Sequence, residues 1–259
     1  MLSASRCTLG VDSDRVASEQ GDQLNMSIGK SEQAAADAAR VLLAIDTATN
    51  MSGIALYDHR GVRTEQMWYS HASHTTELLP IIDMSIRQQG LLPQNLIAVG
   101  VSLGPGSFTG VRVGLSIAKG IALGLQIPVL GVPALDVVAY THLREQCPFC
   151  AVIPAGRGRW SMAFYQPTEG MPERTSDYQL LNSAQLCAAL VPPTVICGEL
   201  DAETIRALRG QVAPGVVVLD PAASVRRTGY LAELAWLRLL AGQRDDLQSL
   251  APIYPRQVE

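Results

Sequence analysis

Residues 104–120 run Gly-Pro-Gly-Ser-Phe-Thr-Gly-Val-Arg-Val-Gly-Leu-Ser-Ile-Ala-Lys-Gly, a glycine turn followed by a long apolar segment. Pro105, between Gly104 and Gly106, breaks the apolar run before it and lets the backbone turn sharply. Ser107 or Thr109 is placed to cap the helix that follows. A strand, a glycine turn and a helix N-terminus together aim backbone N–H groups at an anion, so the first chemistry these residues suggest is phosphate binding. Asp46-Thr47-Ala48-Thr49 fits the same chemistry, because it ends an apolar run with one carboxylate and two hydroxyls. In a phosphate-cradling hairpin, hydroxyls and amides hold the phosphate while the aspartate organises a metal. An Asx bond closing the aspartate's own turn is the plainer account of Asp46. On neighbouring strand ends, Asp46, Thr47 and Thr49 would face one cleft with Gly104, Gly106 and Ser107.

The other candidates are weaker. His71 and His74 stand three apart at a strand-to-helix junction, but no third His or Cys is near enough in sequence to complete a zinc site. Capping and packing explain them better, and His59 and His142 are isolated. Cys147-Pro-Phe-Cys150 has the spacing of a redox or half-zinc motif without a second pair. Gly156-Arg157-Gly158-Arg159 reads either as an RNA or phosphate contact or as a plain hairpin turn.

Composition sets bounds on these readings. The 259 residues are 47% hydrophobic and 17% charged, enough for one or two packed α/β domains. A net charge of −4 supplies no basic field to draw the chain to nucleic acid. Five cysteines in this length form no disulfide framework, which points to a reducing cytoplasm. The most apolar stretch, 113–132, is interrupted by Lys119, Gln126 and Pro128, so no membrane span is expected. Residues 1–40 hold six acidic and four basic groups, no aromatic residue and no signal-like apolar core. They are expected to be a disordered leader, with Met26 an alternative start, or to form a short helix at 31–40.

Positioning the candidate residues requires a particular order of elements. Val41–Asp46 reads as a buried central strand, 52–58 as a second, and 62–70 as a third across the Asp58–Gly61 turn. A helix over 75–89 carries Leu78, Leu79, Ile82 and Ile86 on one stripe and stops at Gly90. Then come a strand at 96–103, a helix at 107–125 and a strand at 127–131. This β-β-β-α-β-α-β order is the ribonuclease-H-like arrangement, the half-unit of the actin-like (ASKHA) α/β folds. The second half predicts strands at 151–154, 160–166 and 176–181, a helix at 183–190, and a strand at 194–197. A helix over Ala202–Arg209, a strand at 216–219 and a final helix at 229–240 follow. The whole reads as a structural duplication joined near 140–150: an N-terminal domain at 41–145 and a C-terminal α/β domain at 146–259.

Where 44–49 pairs with 102–120, the chain resembles the TsaB (YeaZ) family, non-catalytic paralogues of TsaD in bacterial tRNA threonylcarbamoyladenosine synthesis. His71-x-x-His74-x-x-x-Leu78-Leu79-Pro80 and Pro252-Ile253-Tyr254-Pro255-Arg256 also resemble that family. The likeness covers about 41–256 and is strongest over 41–140. One departure lies at 151–160, where the family leads one to expect an acidic residue and the chain has Val-Ile-Pro-Ala-Gly-Arg-Gly-Arg. The resemblance implies that the catalytic paralogue carries a metal-binding His-x-x-x-His just after the corresponding Pro-containing strand. Laid on this chain without gaps, those positions fall on Ala134 and Val138, neither of which binds metal.

The resemblance therefore implies a scaffold that is not an enzyme by itself and needs no cofactor, with at most weak ATP or ADP binding at a complex. It implies partnership with TsaD and TsaE, a homodimer when alone, and contact with tRNA only through the complex. The implied interface comprises His74, Leu78, Leu79, Ile82 and Ile86 on the first helix, with Arg112, Val113, Ile117 and Ile121 on the second. The second helix is apolar on more than one face, so burial between the sheet and its neighbour helix explains the same pattern. Two rival activities are an ATP-dependent phosphotransferase or hydrolase using Asp46, Thr47 and the glycine turn, and a glycoprotease-like metallopeptidase.

Overall fold

The computed structural model describes residues 40–70, 74–142 and 147–257. Expectations for 1–39 and for His71 lie outside them. Strand β1 (Val41–Asp46) is buried along its whole length. An apolar run without polar alternation is what a central strand covered on both faces requires. β2 (Met51–Asp58) and β3 (Gly61–Tyr69) follow as an antiparallel meander, with Leu43 opposite Leu56 and Ala55 opposite Glu65. Helix α1 (His74–Gln88) leads to β4 (Leu96–Ser102), helix α2 (Phe108–Leu125) to β5 (Val129–Val132), and helix α3 (Ala134–Tyr140) closes the first half. The sheet order is β3-β2-β1-β4-β5, with β4 and β5 parallel to β1.

The second half repeats this plan. β6 (Phe149–Pro154), β7 (Arg159–Gln166), the two-residue β8 (Glu173–Arg174) and β9 (Gln179–Asn182) precede α4 (Ser183–Ala189). β10 (Thr194–Gly198), α5 (Ala202–Arg209), β11 (Val216–Val218), α6 (Thr228–Leu240) and β12 (Arg256–Gln257) complete it. Its path is β11-β10-β6-β7-β9-β12, and the pairing directions from β11 to β9 match those of the first sheet; β12, parallel to β9, and β8, antiparallel to β7, are additions. The α/β fold is therefore a duplicated ribonuclease-H-like unit, the actin-like arrangement.

Alternate residues of the central strands serve opposite layers, as the two-residue period of a strand dictates. Val41, Leu43 and Ile45 pack with Leu78, Ile82, Leu115 and Ala118 of α1 and α2, while Leu42 and Ala44 pack with Leu231, Ala232 and Ala235 of α6. In the second sheet, Phe149, Ala151 and Ile153 meet Leu135 and Val138 of α3, and Cys150 and Val152 meet Leu186, Ile205 and Leu208. The last helix of each half thus covers the sheet of the other half. Cutting at 145/146 separates the sheets but would strip α6 from the first core. Glu65 on β3 anchors this exchange at the N-terminus of α6, where its carboxylate accepts from Gly229 N at 2.8 Å and Arg227 Nε at 3.0 Å. Glu77 ties α1 to β3 by accepting from Trp68 Nε1 at 3.1 Å and Ser70 Oγ at 3.0 Å.

Three details differ from expectation. α3 was not predicted, because Ala-Leu-Asp-Val-Val-Ala-Tyr is a single short apolar run with five buried residues and no polar stripe to set a helical period. β9 starts three residues later than predicted and ends at Asn182, which caps α4 reciprocally with Gln185. The short strands β8 and β12 carry no periodic signal.

Candidate functional site

The start of α2 separates two concave surfaces. A cleft of about 800 Å³ is lined by Thr49, Gly106, Ser107, Gly156, Glu199 and Arg226 among others, so both halves contribute to it. A shallower groove of about 440 Å³ runs between α1 and α2 and is lined by Leu79, Phe108, Arg112, Val113, Ser116 and Ile117. Phe108 and Thr109 belong to both.

The expected phosphate residues are brought together, but mainly to bond one another. Asp46 is 1% exposed. Its Oδ1 accepts from Ala48 N at 3.0 Å, the Asx turn, and its Oδ2 pairs with Nη1 of Arg226, also 1% exposed. Thr47 is buried and donates its hydroxyl to Gly110 O at 2.7 Å. Thr49 Oγ1 accepts from Met51 N and from Arg226 Nη2, each at 3.1 Å. Ser107 donates its amide to Ala48 O at 2.6 Å and caps α2 by accepting from Gly110 N at 3.1 Å. Thr49, Gly106 and Ser107 line the cleft, whereas Asp46, Thr47 and Gly104 are buried and do not.

The glycines explain why the turn and the hairpin lie so close. A Cβ at Gly110 would sit 2.3 Å from Thr47 O, and one at Gly114 would sit 2.2 Å from Thr47 Oγ1. The first two turns of α2 therefore rest their bare backbone directly on the 46–49 turn. The backbone of the helix therefore occupies the space next to Thr47.

Arg226 is the buried charged residue of this site that sequence reasoning missed. Burial by itself would lower its pKa, but Asp46 and then Glu199 hold the guanidinium charged, above its ordinary value. Nothing in Ser224-Val-Arg-Arg-Thr228 distinguishes a buried arginine from a solvated one, because its partner Asp46 is 180 residues away.

The predicted interface residues divide into two sets. Leu78, Ile82 and Ile86 are core residues packed on the first sheet, not surface. The apolar stripe of α1 is spent on its own fold. Leu79, one residue off that stripe, is 50% exposed and lines the groove. The backbone of His74 begins α1. On α2, Val113, Ile117 and Ile121 are half-buried, with Ile117 and Ile121 packed against the first core. Arg112 is exposed, and its guanidinium carbon lies 3.3 Å from the centroid of the Phe108 ring and 5.5 Å from that of Tyr254. Phe108 itself is 63% exposed. α2 has the length and hydropathy of a membrane span, but Leu115, Ala118 and Ala122 are committed to the first sheet.

The remaining candidates resolve simply. Gly156–Arg159 is the hairpin turn between β6 and β7, with Arg157 exposed. Cys147 and Cys150 are free thiols, and burial pushes the Cys150 thiol up, away from reactivity. His142 is buried with its ring centroid 6.1 Å from that of Phe149, and His59 lies in the β2–β3 turn. Ala134 and Val138 are both buried in α3. Among the described residues no group of three or more His, Cys, Asp or Glu is placed to share a metal ion.

Known proteins match this arrangement. The family model described as TsaD, tRNA N6-adenosine threonylcarbamoyltransferase, matches residues 68–196. The tRNA threonylcarbamoyladenosine biosynthesis protein TsaB of Bacillus subtilis is 32% identical over 133 residues, 51% of this chain and 58% of that protein. The protein of the same name in Escherichia coli is 35% identical over 130 residues, 49% of this chain and 56% of that one. The chain spans about half the length of the curated relatives it matches. A solved structure from Pseudomonas aeruginosa, described as an uncharacterized protein with similarity to peptidase YEAZ, superposes with a TM-score of 0.70 at 25% identity. That likeness covers 84% of this chain and all of the other.

Proposed function

We infer from these likenesses that the chain is a member of the TsaB/YeaZ family, and on that premise we propose that it is a non-catalytic subunit of the machinery that makes threonylcarbamoyladenosine in tRNA. In this role it pairs with a TsaD-type transferase through the outer faces of α1 and α2, and TsaE joins the complex. Alone it forms a homodimer through the same faces. It works in the cytoplasm, meets tRNA only within the complex and requires no cofactor of its own. Any ATP or ADP binds weakly at the assembled complex.

The observation that carries this reading is the exposed apolar groove of Leu79, Phe108, Val113 and Ile117. These side chains sit on helices whose other faces already hold the core, and Ile117 alone of the four also packs on it, so an apolar outer surface remains exposed among the described residues. A specific interface of ordinary size removes about 1,600 Å² in total, which two helices from each partner can provide. The chemistry at hand supports a scaffold. Asp46 is neutralised by Arg226, and Ala134 and Val138 offer no metal-ligating atom.

Reconstitution tests the proposal. Threonylcarbamoyl transfer to tRNA is expected only when the chain and a TsaD-type partner are both present. Transfer by this chain alone, or equal transfer by the partner without it, would overturn the proposal. A phosphotransferase reading requires Mg-dependent ATP turnover by the isolated chain.

A further inference from the structure

Four groups from distant parts of the chain meet beside the cleft; Thr49, Glu199 and Arg226 line it, and Asp46 is buried. Asp46 ends β1, Thr49 lies in the turn to β2, Glu199 follows β10, and Arg226 precedes α6. Arg226 Nη1 donates to Asp46 Oδ2, Nη2 to Thr49 Oγ1 at 3.1 Å, and Nε to Glu199 Oε1 at 2.7 Å. Glu199 is the outermost member, its side chain 16% exposed. Two carboxylates face one guanidinium, leaving one negative charge in excess. Asp46 Oδ1 is already taken by Ala48 N, so the free edge of that carboxylate is the one on Arg226.

A divalent ion organised by Asp46 does not fit this arrangement. Hard cations bind through carboxylate oxygen edges, and the edge here is filled by a fixed positive charge. At ion-pair distance in a buried site, like-charge repulsion outweighs anything a surface position would show.

We propose that Arg226 is a built-in counter-cation that stands in for a divalent metal ion at this end of the cleft and ties β1 of one sheet to β10 of the other without any exchangeable ion. Being covalent, this cation cannot dissociate, so the junction of the two halves is insensitive to metal supply. The inference is independent of which partner covers α1 and α2.

The test measures Asp46-dependent uptake of Mn²⁺ by the full chain. Each protein is compared with its own Asp46→Asn version, using the electron-spin-resonance signal of free Mn²⁺ and the thermal midpoint. Wild type is expected to take up no Asp46-dependent Mn²⁺. Arg226→Ala is expected to gain about one equivalent, with a dissociation constant on the order of 1 mM or below, and a midpoint that rises with Mn²⁺. Adding Asp46→Asn should weaken that binding at least about tenfold, as expected for loss of a ligating carboxylate. If Arg226→Ala is unfolded in chelator, its refolding on Mn²⁺ addition supports the proposal and failure to refold overturns it. Asp46-dependent binding by wild type, or a folded Arg226→Ala without it, also overturns the proposal.

Discussion

Replacing either of two glycines in α2 by alanine should change stability in opposite directions. In the interior of an exposed helix, alanine stabilises by about 1 kcal/mol relative to glycine. Gly120 is exposed, and a Cβ there meets nothing within 4 Å. Gly120→Ala should therefore gain about 1 kcal/mol and raise the melting temperature by about 2–4 °C for a chain of this size. At Gly110 the new Cβ would lie 2.3 Å from Thr47 O, a backbone atom of a turn that also receives the Arg226 network. Overpacking costs about 1–3 kcal/mol, and a carbonyl that cannot swing aside puts the cost at the upper end. Subtracting the propensity gain leaves Gly110→Ala about 2 kcal/mol less stable, some 4–8 °C lower in melting temperature. The two variants should differ by about 3 kcal/mol, roughly a hundredfold in the folding equilibrium. Urea titration of the free chain, followed by tryptophan fluorescence, measures both. If both variants were stabilised, or both destabilised by similar amounts, the direct seating of α2 on the 46–49 turn would be refuted.

Leu79→Glu should leave urea stability within about 0.5 kcal/mol of wild type, since half of Leu79 is already in water, yet abolish pairing in size-exclusion chromatography. An Ile117→Glu variant should lose both, because Ile117 also packs on the core. Two half-buried aspartates, Asp136 and Asp245, should respond to pH in opposite senses. Burial raises the Asp136 pKa against the hydrogen bonds from Tyr165 at 2.7 Å and Tyr178 at 3.1 Å. Its contribution is therefore full below the unfolded carboxylate pKa and is lost as pH rises through the folded one, so Asp136→Asn should gain on wild type as urea midpoints are followed from pH 4 to 7. For Asp245, burial opposes but Arg238 and the Gly131 amide at 2.6 Å win, and the pKa is lowered. That contribution is present above the unfolded pKa and is lost as pH falls through the folded one. Asp245→Asn should therefore cost about 1–3 kcal/mol at pH 7, with a deficit that shrinks in acid.

Much of the fold was legible because local patterns determine it. The continuous apolar run at 41–46 marks a doubly covered strand, and Gly104-Pro-Gly-Ser marks the break and the cap of α2 to within one residue. The period of α1 was equally clear, but it misdirected the interface. A stripe of Leu78, Ile82 and Ile86 states that one face of the helix is buried, not whether it meets its own sheet or a partner. The half-apolar outer face that remains, with Leu79 and Phe108, emerges only when the core contacts are subtracted.

The same limit governs the candidate site. Types and spacing in the chain established a duplicated α/β plan, a hairpin carrying Asp46 and a glycine-faced helix, because these follow from backbone sterics and periodic burial over a few residues. What those groups do was decided by tertiary structure. Gly110 and Gly114 bring α2 onto Thr47, and Arg226, from 180 residues along, takes the carboxylate that a metal would need. The physical reason is that a charge or a close contact takes its meaning from its partner, and here each partner is contributed by chain far away in sequence.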